Sequence, residues 1–359
     1  MIARGGEERL GTLTSLRAQL HGLPKVDLHR HLEGSLRLQT LAEIAQEHGI
    51  DLPSHDIEYL RPFVTVTNEE PDFHRFLEKF RILRHFYATQ AAVERVAYEA
   101  VADAAADNIK YLELRFNPVA LAREQGFSLD QVTTWVCGAV ATAQRDYGVR
   151  TNLILQIGRD ENLDRAFEIA DVALAHRKDG VVGLDLAGDE VEYSARRFAE
   201  VFQRAQQEGL HVTVHAGEAG VAENVREAIE LLGAQRIGHG VRSIDNSDIV
   251  QLVRNRGVTL EVCLTSNLQT GVERRIWQHP LPDLLALNLR VTLNTDDPSV
   301  SDTTLTDEYL TAMVALGVTL EQIKHAIMTA VEGSFQPPDE RKQLAEWFRT
   351  ELESQKPGF

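Results

Sequence analysis

The stretch VDLHRHLEG at residues 26–34 places two histidines, His29 and His31, two positions apart. In an extended strand such residues project to the same side, so their imidazoles can address one ion. Further on, VTVHAGE supplies His215 and Glu218, GHG supplies His239, and TLNTDDP supplies Asp296 and Asp297. An isolated HxH, HAGE or GHG carries little information. Each of these groups, however, directly follows a short apolar, β-branched run, and that shared placement makes them one candidate set.

Three imidazoles and a carboxylate form a nitrogen and oxygen donor set suited to Zn²⁺ or a similar divalent ion, with room for a water. A mononuclear site follows: His29, His31, His215 and Asp296. Such an ion brings the pKa of a water down to roughly 7. Hydrolysis also needs one group to take a proton and another to protonate the substrate, and Glu218 and His239 are candidates for both tasks. Binuclear barrel hydrolases commonly use a modified lysine at the end of strand four. The corresponding run, LDLAGDE, has none, which favours one Zn²⁺ per chain.

The elements that must carry these residues are legible as eight β-branched runs: PKVDLHRHLEG, IKYLELRFNP, VRTNLILQIGR, GVVGLDLAGDE, GLHVTVHAGE, QRIGHG, GVTLEVCLTSN and LRVTLNTDDP. Segments of helical periodicity separate most of them, including 91–107, 128–148, 162–178 and 193–209, and several end at a glycine. Strands this apolar, alternating with helices, predict an α/β fold of the closed (β/α)8 or TIM-barrel type. A doubly wound open sheet is the alternative, and no GxGxxG supports it. Active sites of such barrels gather at the C-terminal ends of the strands, where the ionisable residues fall. Residues 35–108 are too many for one barrel helix and predict a helical insertion after strand one. Further helices are expected after strand eight, and with no linker or repeat the chain reads as one domain over 1–359.

Composition narrows the partners. With 359 residues, 43% of them apolar, and a net charge of −17, the chain lacks the concentrated basic surface that nucleic acid or an anionic membrane requires. A small-molecule partner fits better, and oligomeric state is not legible. Cys137 and Cys263 lie far apart in apolar contexts and read as reduced core residues. No run reaches signal-peptide or membrane-span length, so a cytoplasmic location is expected.

Taken in order, LHRHLEG, LAGDE, HAGE, GHG and LNTDDP, with FLEKF, LELRFNP and TSNLQTG, resemble the adenosine deaminases, metal-dependent purine deaminases of the amidohydrolase superfamily. The resemblance covers about residues 24 to 335. It implies zinc on His29, His31, His215 and Asp296, and a proton from Glu218 to purine N1 that makes C6 electrophilic. It further implies that His239 orients the attacking water and stabilises the alkoxide. A protonated Asp297 would meet N7, and the backbone N–H of Gly188 would meet N3. In DFHRFLEKF, Phe73, Phe76, Leu77 and Phe80 stand at the spacing of one packed helix face, and the family uses that helix as an apolar lid over the ribose side. Asp185 in LDLAGDE reads as a strand residue packed in the barrel mouth; support of a ligand histidine is the alternative, and no role is assigned to it.

Substrate identity turns on Glu33. The animal-type nucleoside deaminases have aspartate there, reaching a ribose hydroxyl, whereas glutamate is common in adenine deaminases and in bacterial relatives. TSNLQTG resembles the nucleoside branch. The expectation is therefore deamination of adenosine and 2′-deoxyadenosine. Adenine or a 5′-modified nucleoside such as methylthioadenosine or aminodeoxyfutalosine is the alternative substrate, and a non-catalytic metal-binding purine sensor the remote one. The chain lacks the P-C-x-x-C signature of the cytidine-type zinc deaminases.

Overall fold

In a computed structural model, which describes residues 2–51, 56–67 and 69–355, eight parallel strands follow one another in chain order. They are β1 (Lys25–His31), β2 (Ile109–Phe116), β3 (Arg150–Gly158), β4 (Val181–Ala187), β5 (His211–Ala216), β6 (Arg236–His239), β7 (Thr259–Val262) and β8 (Arg290–Leu293). Just beyond the end of β8, a bridge between Arg30 and Asp296 joins the segment that follows the last strand to the first strand. The architecture is the predicted barrel, with helices between its strands.

Alternation along β2 shows how the barrel is built. Leu112, Leu114 and Phe116 are fully buried in the apolar core, while the residues between them, Glu113 and Arg115, meet side chains of β4, β6 and β7. One face of each strand therefore packs on helices and the other fills the barrel interior. That interior is buried and charged. The sequence runs look uniformly apolar because the outward positions supply most of the Leu, Ile and Val.

Among its described residues, the insertion after β1 forms four α-helices: Leu38–His48, Ile57–Val64, Phe73–Leu83 and Gln90–Ala106. The third carries the aromatic face, and its first turn is capped by Asp72, whose side chain accepts from the Arg75 N–H. After β8 come Leu305–Leu316, Leu320–Gly333 and Pro338–Ser354. Phe335, just beyond the second of these, plugs the N-terminal end of the barrel. Its ring stacks on His211 at 4.6 Å and lies 3.5 Å beneath the Arg236 guanidinium. One element is absent from the sequence reading: Ile2–Gly22 is a helix, held by the fully buried Leu20. Both cysteines are free and buried. Cys263 stands just after β7, at the start of helix Leu264–Gln269, and not within a strand.

Candidate active site

At the C-terminal rim, four candidate ligand atoms converge. His29 Nε2 lies 3.1 Å and His31 Nε2 3.2 Å from Asp296 Oδ1, and the Nε2 atoms of His31 and His215 are 3.3 Å apart. Bonds of about 2.0–2.1 Å to a tetrahedral ion require ligand atoms roughly 3.3 Å apart, so the set has the span of one metal. His29 Nε2 is fully buried and has no hydrogen-bond partner, an orphan that a cation would satisfy. Burial would raise the Asp296 carboxyl, yet the adjacent His29 and His31 hold it well below the ordinary range. It is thus held as an anion, the form a metal ligand requires. Burial, helped by the neighbouring His215 and His29 and opposed by Asp296, takes His31 down to about 4, which favours the neutral imidazole that coordination needs.

Carboxylates fix the other ring nitrogens. Glu261 Oε2 stands 2.8 Å from His29 Nδ1, and Asp185 Oδ2 stands 3.0 Å from His215 Nδ1. Both carboxylates therefore turn Nε2 towards the ion position. Arg115 bridges them, reaching Asp185 at 3.1 Å and Glu261 at 2.9 Å. Arg236 then links Glu261 to Glu113, with its closest contact to Glu113 at 2.6 Å. Glu113 in turn accepts from the Tyr111 hydroxyl and the Phe335 N–H. Against the penalty of burial, Arg115 and Arg236 keep Glu261 ionised.

Backbone geometry is strained where chemistry is expected. His239 and Asp296 have φ of 60° and 62°, a left-handed conformation that costs a non-glycine residue energy and clusters at functional sites. Gly238 lets the imidazoles approach, because a Cβ there would stand 2.8 Å from His29 Cε1.

A cavity of about 400 Å³ opens above the four candidate ligand atoms. Its lining includes all thirteen candidate site residues named from the sequence except His29, which is fully buried. Glu218 and Asp297 are both buried. Burial, reinforced by the negative charge of Asp296, pushes each carboxyl well above its ordinary range. Asp297 Oδ1 has no partner. Glu33 is likewise buried and raised to about 7, with Oε1 accepting from the Asn117 N–H at 2.7 Å and Oε2 unpartnered. His239 Nε2 faces Glu218 Oε2 at 3.5 Å and Asp296 Oδ2 at 3.8 Å. Phe73, Phe76, Leu77 and Phe80 line the cavity, and Phe76, Leu77 and Phe80 also pack into the core, so the helix serves as wall and as packing at once.

Sequence reasoning passed over the supporting residues. Asp185 was visible without a role, and it orients His215. Glu261 in TLEV and Arg115 in LELRF were signalled only as charges inside apolar runs. Glu190, which ends LDLAGDE, accepts from the N–H groups of Gly217, Glu218 and Gly220 at 2.7–2.9 Å. It thereby shapes the loop that carries Glu218.

An eight-stranded parallel barrel with three imidazoles and one carboxylate converging at its C-terminal rim defines the amidohydrolase type of barrel. The chain belongs to the adenosine deaminase family, whose model matches residues 24–350. It is 40% identical over 321 residues to an adenosine deaminase of Edwardsiella ictaluri, covering 89% of this chain and 96% of that protein. Among solved structures, an adenine deaminase from Arthrobacter aurescens superposes with a TM-score of 0.86 at 30% identity, covering 92% of this chain and 99% of that one. An amidohydrolase of Burkholderia ambifaria, solved with bound Zn, superposes with a TM-score of 0.86 at 27% identity, covering 94% and 93% of the two chains.

Proposed function

We propose that the chain hydrolyses adenosine, and 2′-deoxyadenosine, to the corresponding inosine and ammonia, with one zinc ion held by His29, His31, His215 and Asp296. One observation carries this reading: two buried carboxyls whose pKa is raised by burial and by Asp296, on Glu218 and Asp297, share a cavity with a candidate ligand cluster of metal dimensions. A donor set of three imidazoles and a carboxylate, and the bound Zn of the Burkholderia relative, support zinc. When bound, the ion supplies a strongly acidified water and a fixed positive charge beside the reacting carbon.

The residues of the chain supply the rest. Glu218 delivers its proton to purine N1, which breaks ring conjugation and opens C6 to addition. Asp297 donates to N7 and the Gly188 N–H to N3, so both require a purine in one orientation. His239 faces the oxygen that adds at C6 and stabilises its charge. The water that adds at C6 returns one proton to Glu218 and passes the other to the departing nitrogen, so collapse of the tetrahedral carbon expels ammonia and leaves the carboxyl recharged. The Phe76, Leu77 and Phe80 wall excludes water from the bound face.

Glu33 favours a second reading in which the substrate is adenine or a 5′-modified nucleoside, and the similarity to an adenine deaminase points the same way. Initial rates on adenosine, 2′-deoxyadenosine, adenine and methylthioadenosine, followed by loss of adenine-band absorbance, separate the two. Adenosine is expected to have the highest kcat/KM. Turnover of adenine without adenosine would replace the first reading with the second.

A further inference from the structure

Two buried side chains behind His239 form a chain of hydrogen bonds with a backbone amide at its far end. The Leu281 N–H donates to His279 Nδ1 at 3.1 Å. His279 Nε2 lies 3.2 Å from Asn267 Oδ1, and Asn267 Nδ2 lies 3.1 Å from His239 Nδ1. Asn267 and His239 are no more than 1% exposed and His279 is 3% exposed, so water does not compete for these bonds.

Only one arrangement of protons satisfies every link. An amide N–H can only donate, so His279 Nδ1 must be unprotonated and its proton must sit on Nε2. That N–H requires an acceptor, which fixes the Asn267 carbonyl towards His279 and its NH₂ towards His239. His239 Nδ1 then accepts, and the proton of the neutral ring is on Nε2. Rotating the Asn267 amide by half a turn would require the His279 proton on Nδ1, facing the Leu281 N–H. Burial, with Arg242 nearby, takes His279 down to about 3, so a doubly protonated ring does not offer a way round.

We propose that Asn267 and His279 are positioning residues that hold His239 as a hydrogen-bond donor at Nε2, towards the reacting oxygen. The inference rests on the deaminase reading for the identity of that oxygen, though the proton arrangement does not depend on it. His239 would accordingly stabilise charge on oxygen in the addition step, and the resting ring has no lone pair on Nε2 with which to accept a proton from water. Of the family-like segment TSNLQTG, Asn267 is the residue that reads the tautomer from the Leu281 amide.

The test is ¹⁵N NMR of histidine-labelled, zinc-loaded protein, with the His239 signals assigned by their loss in His239→Gln. A protonated Nε2 and an unprotonated Nδ1 on His239 are expected, and the opposite pattern in the unmutated protein overturns the proposal without any variant. Asn267→Asp presents a carboxylate to both rings and should move the His239 proton to Nδ1. Its kcat should fall by about 10²- to 10³-fold, the effect of losing one oxyanion donor, with KM and zinc content little changed. His279→Gln, whose amide can still donate to Asn267, should retain the Nε2–H pattern and most of the turnover. Retention of the Nε2 proton in Asn267→Asp would overturn the proposal. A wild-type protein with the expected tautomer but no activity on any purine would instead sink the deaminase reading alone.

Discussion

Arg30 and Asp296 form the bridge that joins the segment after the last strand to the first strand, and its two hydrogen bonds run between metal-ligand candidates. The His31 N–H donates to Asp296 O and the Asp296 N–H donates to His29 O, both at 2.8 Å. Barrel closure and ligand convergence therefore share one piece of backbone. A divalent ion holding all three side chains should tie that seam shut. Chelator-treated protein is expected to melt several degrees below zinc-loaded protein, since a ligand at a thousand times its Kd adds about 4 kcal/mol of stability. Identical melting curves with and without the metal would sink this coupling.

Ligand and acid should separate by mutation. His215→Ala removes one imidazole and leaves Asp185 facing an empty position, so metal content after dialysis should fall well below one ion per chain. Glu218→Gln keeps every ligand but has no proton to give N1, and should lose about 10²- to 10⁴-fold in kcat while retaining its metal. Metal analysis and steady-state kinetics on both proteins check the split. Full zinc occupancy in His215→Ala, or near-normal kcat in Glu218→Gln, would refute the corresponding role.

The strand ends were legible because β-branched runs stop at polar residues, and in a parallel barrel those ends meet. His29, His31, His215, His239 and Asp296 fall together for that reason alone. Their support was not legible. Glu261 and Arg115 are single charges within apolar strands, and which carboxylate meets which imidazole depends on the stagger around the barrel. His279 lies in a loop twelve residues beyond Asn267, and no local pattern links the two. The N-terminal helix, with Gly5, Gly6 and Gly11 in its span, carries no strong helical signal of its own and gains its order by docking Leu20.

Glu33 should make stability fall with rising pH. Burial raises its carboxyl from 4.5 to about 7, against a smaller opposing pull from the Asn117 N–H. Between those values the folded chain keeps a proton that the unfolded chain releases, so the contribution is present at low pH and is lost as pH rises through about 7. Its size is at most roughly 3 kcal/mol. Glu33→Gln removes the titration and retains the carbonyl that accepts from Asn117. Denaturant unfolding should show the variant about 1–3 kcal/mol more stable than wild type at pH 8 and level with it near pH 4.5. If Glu33 meets the sugar, the variant should also lose about tenfold or more in kcat/KM for adenosine and little for adenine. An unchanged stability difference across this range would rule out the raised carboxyl.

Gly34, the last residue of HLEG, should be irreplaceable for the neighbour it accommodates. A Cβ at this position would lie 1.9 Å from Asp297 Oδ1 and 2.4 Å from Asp297 Cβ, a distance no packing adjustment of Gly34 itself can relieve. Its φ is not in the left-handed region, so Gly34→Ala adds no backbone strain and acts only by displacing Asp297. The displaced carboxyl would no longer reach N7, while Asp296, held by its bridge to Arg30, would keep its place among the ligands. A misplacement of about 1 Å at a positioning group costs about 10²-fold in rate, and a loss of at least that size in kcat/KM is expected, with metal content unchanged. Gly22→Ala, where an added Cβ meets nothing within 4 Å, is the control and should behave as wild type. Near-normal kinetics in Gly34→Ala would mean that Asp297 is not required where it stands, and with it the assignment of N7 recognition to this carboxyl would fall.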